Sequence, residues 1–513
     1  MHALFRSPPT LLTCIALLVS GCTQVGPDYA APTNSWLEQW RSPALQQVSR
    51  QQSEPDFRQW WLAFDDPLLN RLIAEADAHN PSLQIAGLRV LEARAALGIA
   101  QSTLYPQLQQ GSAESLYLDR RQSGGDNPRD SSAWQYQAGF NLGWELDFWG
   151  RFSRAIESAD ASYLASQANY QDVLVLLRAQ VAQTYFALRT AEARLRIAKE
   201  NATLQRRSYE ITERLFNSGN NAELDLQQAK TQYLGTLSSI PEFEAEVLRT
   251  RNALSLLIGL PPGSLPQLAE QQGLIPLVSV ALLQDVPANL LQRRPDVRAA
   301  ELLAAAQSAR IGVAESDFYP AITLLGSIGW SATSIDGSSD NFDLAAGPSL
   351  TWKLFDHGRI SNNVRVEDAR LQQLLVAYQD SVRQAAREAD DAASGLIKSL
   401  ERERILGEAA VSAQRSLTLS TKQYQEGYSD FQRVLDAQRA LFVQQDSYLL
   451  SRSAAVSNLI ALYKALGGGW YTTQPLIDQE TREQMHKRTD WGTLLGEASP
   501  QSENLPNKAS LND

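Results

Sequence analysis

Trp134-Gln135-Tyr136-Gln137-Ala138-Gly139-Phe140-Asn141-Leu142-Gly143-Trp144-Glu145-Leu146-Asp147 alternates without a break. Trp134, Tyr136, Ala138, Phe140, Leu142, Trp144 and Leu146 share one face, and only polar residues and glycine occupy the other. Period two over this length specifies a strand with one apolar and one wet face. About ten residues of strand cross a bilayer, and the aromatics at its ends suit the two interfacial girdles. No stretch approaches the run of about 18 apolar residues that marks a membrane helix. If this chain spans a membrane, it does so with strands. The competing reading, a soluble hairpin on an ordinary core, leaves the apolar outer face and the small inner residues unexplained.

The pattern occurs twice. Asn80-Pro81-Ser82-Leu83 opens a helical stretch closed by Tyr105-Pro106, and Arg294-Pro295-Asp296-Val297 opens another closed by Tyr319-Pro320, at a constant offset of 214. Past a polar loop the offset becomes 208 and holds for Gly150/Gly358, Gly219/Gly427 and Gly259/Gly467. A unit of about 200 residues is too long for a solenoid repeat. In the second copy Ile322, Leu324, Gly326, Ile328 and Trp330 alternate, as do Leu344, Ala346, Pro348, Leu350, Trp352 and Leu354. Pro348 removes a ladder donor, which counts against a central strand. Leu108 to Leu118 alternates poorly and is assigned as a strand by analogy. Polar, glycine-bearing loops, 119–132 and 331–341, join each strand pair.

Helices surround the strands. Leu83, Leu88, Leu91, Ala95 and Ile99 form an approximate stripe after Pro81, a residue favoured in a first helical turn. From Arg151 to about Phe216 no proline or glycine interrupts a sequence of helix formers. Such a helix would run on the order of 100 Å, which suggests coiled-coil packing. It stops at Asn217-Ser218-Gly219-Asn220-Asn221. A return helix starts near Ala222, and Pro241 is expected to kink or restart it before Leu257-Ile258-Gly259. The second copy runs from Gly358 to Tyr424, turns at Glu426-Gly427-Tyr428 and returns to Leu466-Gly467. Alanine and glutamine are frequent in these helices, as in a closely packed helical wall with one wet face.

The N-terminus reads as a processing signal. Arg6 precedes a short apolar core, Leu11 to Val19, ending in Val19-Ser20-Gly21-Cys22, which resembles a bacterial lipobox with Cys22 as the acylated residue. An ordinary secretion signal with an incidental cysteine is the alternative. Cys14 would leave with the signal, so a disulfide framework or cysteine metal cage is excluded. Thr23, rather than aspartate, follows the cysteine, as in lipoproteins bound for the outer membrane.

The organisation expected is a signal peptide at 1–21, a lipid-anchored leader at 22–66 and a first repeat at 67–259. That repeat holds a hairpin at 107–147 and a long helical hairpin at 150–258. A linker at 260–293 leads to a second repeat at 294–469, with a hairpin at 321–355 and a helical hairpin at 358–466. A polar tail, 470–513, follows. The net charge of −11 over 513 residues argues against a nucleic-acid partner. His2, His79, His357 and His486 lack metal spacing, and no phosphate loop or nucleophile elbow occurs. Neither an enzyme, a cofactor nor a metal site is indicated.

Four strands per chain cannot close a barrel, which needs about eight, and open edges in lipid leave backbone groups unpaired. The chain must oligomerise, with eight, twelve or sixteen strands for two, three or four copies. Here the resemblance becomes specific. Cys22-Thr23-Gln24-Val25-Gly26-Pro27-Asp28-Tyr29, Trp60-Trp61, Asp66-Pro67-Leu68, Arg293-Arg294-Pro295-Asp296, Phe318-Tyr319-Pro320 and Leu435-Asp436-Ala437-Gln438-Arg439 span nearly the whole chain. It resembles a TolC-like outer membrane factor of the NodT-type lipoprotein branch that serves resistance–nodulation–division efflux pumps. The resemblance implies an α+β membrane protein: a homotrimer with a twelve-stranded β-barrel in the outer membrane and a periplasmic tunnel of helical hairpins. The tunnel's tip meets a periplasmic adaptor protein and an inner-membrane pump.

The resemblance also implies site residues. Asp436 and Arg439 would stand at the tunnel's periplasmic constriction, three of each around the axis; the alternative is an ordinary i,i+3 surface pair. The family often has a leucine one turn before the aspartate. Gln432 stands there, with Phe431 beside it, so the apolar part of the gate is either missing or supplied by Phe431. The tip turns, Gly219 with Asn220 and Gly427 with Tyr428, are the expected adaptor-docking surface. The function implied is a passive exit duct for drugs or other small toxic solutes. A type I secretion duct and a non-channel periplasmic scaffold lipoprotein are the competing readings. Two methionines give no support to a thioether relay for copper(I) or silver(I).

Overall fold

The computed structural model describes residues 24–33, 42–48, 57–121, 131–265, 275–276, 288–333 and 340–495. Cys22, the signal segment and the end of the tail lie outside these residues. In chain order the principal elements are α1 (Pro67–His79), α2 (Pro81–Ser102), β1 (Leu108–Arg120), β2 (Ser131–Glu145), α3 (Arg151–Asn217) and α4 (Glu223–Leu257). The series then repeats with α5 (Pro295–Ser316), β3 (Ala321–Ala332), β4 (Asp340–Thr351), α6 (Arg359–Gln425) and α7 (Gln432–Ala465), and ends with α8 (Gln479–Arg488). Both α3 and α6 have 67 residues.

The four strands form one antiparallel sheet in the order β1-β2-β3-β4. Its register places Phe140 opposite Gly111 and Ile328, and Ile328 opposite Leu344. The apolar sides of β2, β3 and β4 therefore lie on one face. β1 joins that face with Ala113 and Tyr117, which stand opposite Ala138 and Trp134. Pro348 does not break the pairing: β4 stays in register with β3 along its whole length, with Pro348 opposite Leu324 and one ladder donor missing. The strands are shorter than the expected hairpins. β2 ends at Glu145, and Asp147 instead caps α3, accepting hydrogen bonds from the backbone N–H groups of Phe152 at 2.9 Å and Ser153 at 2.8 Å. Asp356 does the same for Gly358 and Ile360.

Two compact units share the helices. The first contains the sheet with residues up to Pro32, Leu91–Ser166 and Ala300–Tyr378. Its leader is strapped down beside the base of the strands. Arg154 Nε donates to the Val25 carbonyl at 3.0 Å, and Nη2 to the Gly26 carbonyl at 3.1 Å and to Asp28 at 2.8 Å. Gly26, at φ +93°, lies so close to α5 that a Cβ would sit 2.3 Å from the Gly312 Cα. Only glycines allow that approach. Tyr319 stacks on Trp149 with centroids 4.6 Å apart, while Trp149 Nε1 donates to the Pro320 carbonyl.

The second unit comprises Thr33–Val90, Gln167–Ala299 and the chain from Gln379. Arg178 is its principal clamp. It lies over the Trp61 ring, pairs with Asp77 at 2.6 Å, and donates to the Gly469 and Tyr471 carbonyls, both at 2.7 Å. Arg294 likewise holds Asp296, Glu388 and the Ala465 carbonyl. Asp66 caps α1 through the Leu68 and Leu69 amides and accepts the Tyr185 hydroxyl at 2.6 Å. Trp60 stacks on Tyr463 at 5.3 Å.

Three expectations need correction. α4 runs unbroken through Pro241. Proline removes one hydrogen bond, to the Leu237 carbonyl, yet the helix does not restart there: the loss of one donor in a 35-residue helix leaves the ladder continuous on either side. The α2 stripe is also displaced: Leu83, Ala86, Val90 and Leu91 are buried, Leu88 is half-buried, and Ile99 is 72% exposed. Finally, the segment after Gly469 is not simply a polar tail. Leu476 and Ile477 are buried, and Gly87 lets the Leu476 carbonyl approach to where a Cβ would clash. Asp478 then caps α8 through the Thr481 amide.

Burial pushes Asp172 up to about 6, with the Asp296 charge adding to the effect. A carboxyl raised above its ordinary value weighs on the fold when ionised, so its burden is full above about pH 6 and is relieved as pH falls toward its ordinary range. Asp172→Asn should therefore raise the apparent unfolding midpoint at pH 7.5 by about 3 °C. The gain should vanish near pH 4.5, as followed by circular dichroism in detergent.

Candidate functional site

The expected site residues gather where α3 turns into α4 and α6 into α7. Both turns are built alike. Gly219 (φ +76°) donates to the Phe216 carbonyl and Asn220 to the Leu215 carbonyl; Gly427 (φ +79°) donates to Tyr424 and Tyr428 to Gln423. This six-to-one closure with a left-handed residue ends a helix cleanly, and glycine adopts that conformation without a Cβ penalty. A Cβ added at Gly219 or Gly427 would meet nothing within 4 Å, so both turns are open. Tyr428 is 82% exposed, and Asn220 is exposed.

Below the turns lies an apolar knot of Ala229, Leu417, Phe431, Val434, Leu435 and Leu441. Phe431 is 3% exposed and packs against Tyr424 with ring centroids 5.1 Å apart. Burial raises the Tyr424 phenol above its ordinary value, with the Asp225 charge adding to it. Phe431 therefore does not stand on the exposed face with the charged pair; it anchors the start of α7 from behind.

The exposed face of α7 carries the rest. Asp436 Oδ1 accepts from Gln432 Nε2 at 3.0 Å and from Arg439 Nη1 at 3.3 Å. The Asp436 and Arg439 side chains are 56% and 64% exposed. In one chain this is a solvated i,i+3 pair, worth about 0.2–0.5 kcal/mol. Gln432, Asp436 and Arg439 thus share a surface, and Gln432 occupies the place one turn ahead as a hydrogen-bond donor, not as an apolar plug.

A polar layer that residue-by-residue reading missed lies just inside. Gln438 is 1% exposed; its Nε2 donates to Ser208 Oγ at 2.8 Å, and its Oε1 accepts from Gln232 Nε2 at 3.3 Å. The ladder ties α7 to both α3 and α4. Its signal in the sequence was only the excess of glutamine at helical spacing. Beside it, Gln205, Gln228, Gln232, Gln432 and Arg439 line an open groove of about 500 Å³. Among the described residues there is no group of three or more His, Cys, Asp or Glu that could hold a metal ion, and no helix long and apolar enough to cross a membrane.

Phe431→Ala should loosen the knot by about 3–5 kcal/mol. The expected readout is faster amide exchange across the α6–α7 turn with unchanged protection in β1–β4; uniform protection would show that the knot does not hold the tip.

Known proteins resemble this chain over most of its length. The family described as outer membrane efflux protein matches residues 72–260 and again 286–468. The chain is 33% identical over 477 residues to the cation efflux system protein CusC of Escherichia coli O6:H1, covering 90% of this chain and 99% of CusC. It is 31% identical over 462 residues to SilC of Salmonella typhimurium, a probable outer membrane lipoprotein, covering 88% and 97%. Among solved structures it resembles the outer-membrane channel OprN, with a TM-score of 0.80 at 32% identity, over 87% of this chain and 99% of OprN.

Proposed function

Because the chain belongs to the outer membrane efflux protein family, we propose that three copies assemble into one duct, with a gate and a docking surface at its periplasmic end. The chain is an outer-membrane exit channel for efflux, and members of its family are trimeric channels that work with adaptor proteins and inner-membrane pumps. The observation that carries the assembly is the sheet; the number three is taken from the family. The sheet has an apolar outer face, and β1 and β4 each present one unpaired edge. With 13 and 12 residues, they are long enough to cross a bilayer. Pairing β4 of one copy with β1 of the next satisfies both edges, and three copies give twelve strands.

Cys22 is the lipid-bearing residue in this reading. Its acyl chains add outer-membrane lipid as a second attachment beside the barrel. The strap from Gln24 to Asp28 supports it by holding the chain two residues away against Gly150 and Arg154. At the other end, Gly219, Asn220, Gly427 and Tyr428 form the surface offered to a periplasmic adaptor. A resistance–nodulation–division pump supplies energy and selects cargo. The cargo class is small toxic solutes; the role of CusC in cation efflux belongs to that relative.

Asp436 and Arg439 form the gate. Threefold symmetry multiplies the pair to six charges around a narrow axis, where poor solvation strengthens each contact beyond its value in one chain. Opening untwists the inner helices and breaks these contacts.

Two measurements test the reading. The detergent-extracted protein should have the native mass of three mature chains with three lipid modifications, and Cys22→Ser should remove palmitate labelling. A monomer that stays soluble without detergent would sink the barrel. Separately, Tyr428→Asp should reduce adaptor capture at least tenfold while the heat-modifiable oligomer persists; undiminished capture would move the docking surface elsewhere.

A further inference from the structure

The groove beside the gate contains two hydrogen-bond acceptors with nothing to accept. Gln205 on α3 and Gln232 on α4 both line it, and the Oε1 of each is tucked into the groove wall, closed to solvent and without a hydrogen-bond partner. Gln205 is 3% exposed. A buried acceptor left unpaired is unfavourable, so two of them on residues of one groove wall call for a donor that a turn of each carboxamide would meet. The lining provides one: Arg439 reaches the same groove from α7 while bonded at 3.3 Å to Asp436 on its other side. Its guanidinium carries five N–H donors in a planar fork and can serve two oxygens at once.

We propose that this groove is the seat Arg439 occupies when the gate is open, its guanidinium exchanging Asp436 for Oε1 of Gln205 and Gln232. The inference rests on the gate reading above and extends it from a bond that breaks to a pair of alternative bonds. Closed, Asp436 Oδ1 holds both Gln432 and Arg439. Open, α7 has turned, Asp436 is released, and the carboxamide oxygens receive the cation. The Gln232 amide is oriented for this by the ladder, because its Nε2 donates to Gln438 Oε1. Two discrete arrangements replace a continuum, as a switch requires. Gly235 leaves the groove mouth clear, for a Cβ there would meet nothing within 4 Å. The seat also separates two roles of glutamine in one layer: Gln438 fixes the helix, whereas Gln205 and Gln232 wait for the arginine.

The test is single-channel conductance of the purified full-length oligomer in planar bilayers, with heat-modifiable mobility confirming assembly of each variant. Asp436→Asn alone should raise the open fraction at least tenfold. Adding Gln205→Met and Gln232→Met, which keep bulk but remove the acceptors, should cut that gain at least fivefold. Gln232→Glu in the otherwise unaltered protein should raise the open fraction at least fivefold by competing for the cation; in an Arg439→Met background, already more open, it should add nothing. An Asp436→Asn channel whose opening is unchanged by the two methionines would overturn the seat while leaving the gate. Should Asp436→Asn itself be silent, the gate reading falls. Where Asp436→Asn does open the channel, the Gln232→Glu and Arg439→Met pair decides the seat a second time: coupling between them supports it, and independence overturns it.

Discussion

A strand edge in hydrocarbon has no water to pair with, and that constraint governs this protein. β1 and β4 each leave one edge unpaired, and a four-stranded sheet is too narrow to curl upon itself. Each chain is therefore an incomplete wall. The duplicated strand pair, the polar loops that join its strands and the helices that descend from it are consequences of building a closed pore from equal parts. Much of the exposed apolar surface has the same origin. Leu344 and Leu350 on β4 and Leu248 and Leu256 on α4 are open in one chain because other copies and lipid are part of the fold.

The sequence motifs by which the chain resembles its family turn out to be fastenings. Asp66 caps α1 and receives Tyr185; Trp60 stacks on Tyr463; Arg294 gathers Asp296, Glu388 and a helix-end carbonyl; Tyr319 stacks on Trp149. They occur where long helices begin, end or cross a loop, places where orphan backbone groups must be satisfied. A duct that selects little at its wall has few residues devoted to chemistry. Its specific residues are those that hold a thin structure together.

The tip is fastened in a different way. Phe431 and its knot fix the start of α7, and the Gln232–Gln438–Ser208 ladder ties its inner face to two other helices. The outer face is left to a weak, solvated pair, Asp436 with Arg439. A strong apolar anchor behind a weak polar contact is the arrangement that the proposed gate requires: a pair that can exchange partners at little expense, and a knot that keeps the helix attached.

Periodicity and punctuation alone determined a good deal. The alternation from Trp134 onward specified β2 and its lipid-facing side, and the 214 and 208 offsets announced two copies. Glycines 219 and 427 marked the ends of α3 and α6, since a left-handed stop is a local requirement of the backbone. The edge constraint fixed oligomerisation, because unpaired groups can be counted from strand number. Tertiary structure decided what depends on neighbours distant in sequence. β1, with weak alternation, is a strand because β2 pairs with it along its whole length. Pro241 stays inside α4 and Pro348 inside β4 because a long ladder on either side of each tolerates one missing donor. Phe431 and Gln432 are adjacent in the chain, yet one is buried and the other lies beside Asp436. Helical phase separates them, and only the helices packed around α7 determine which phase faces inward.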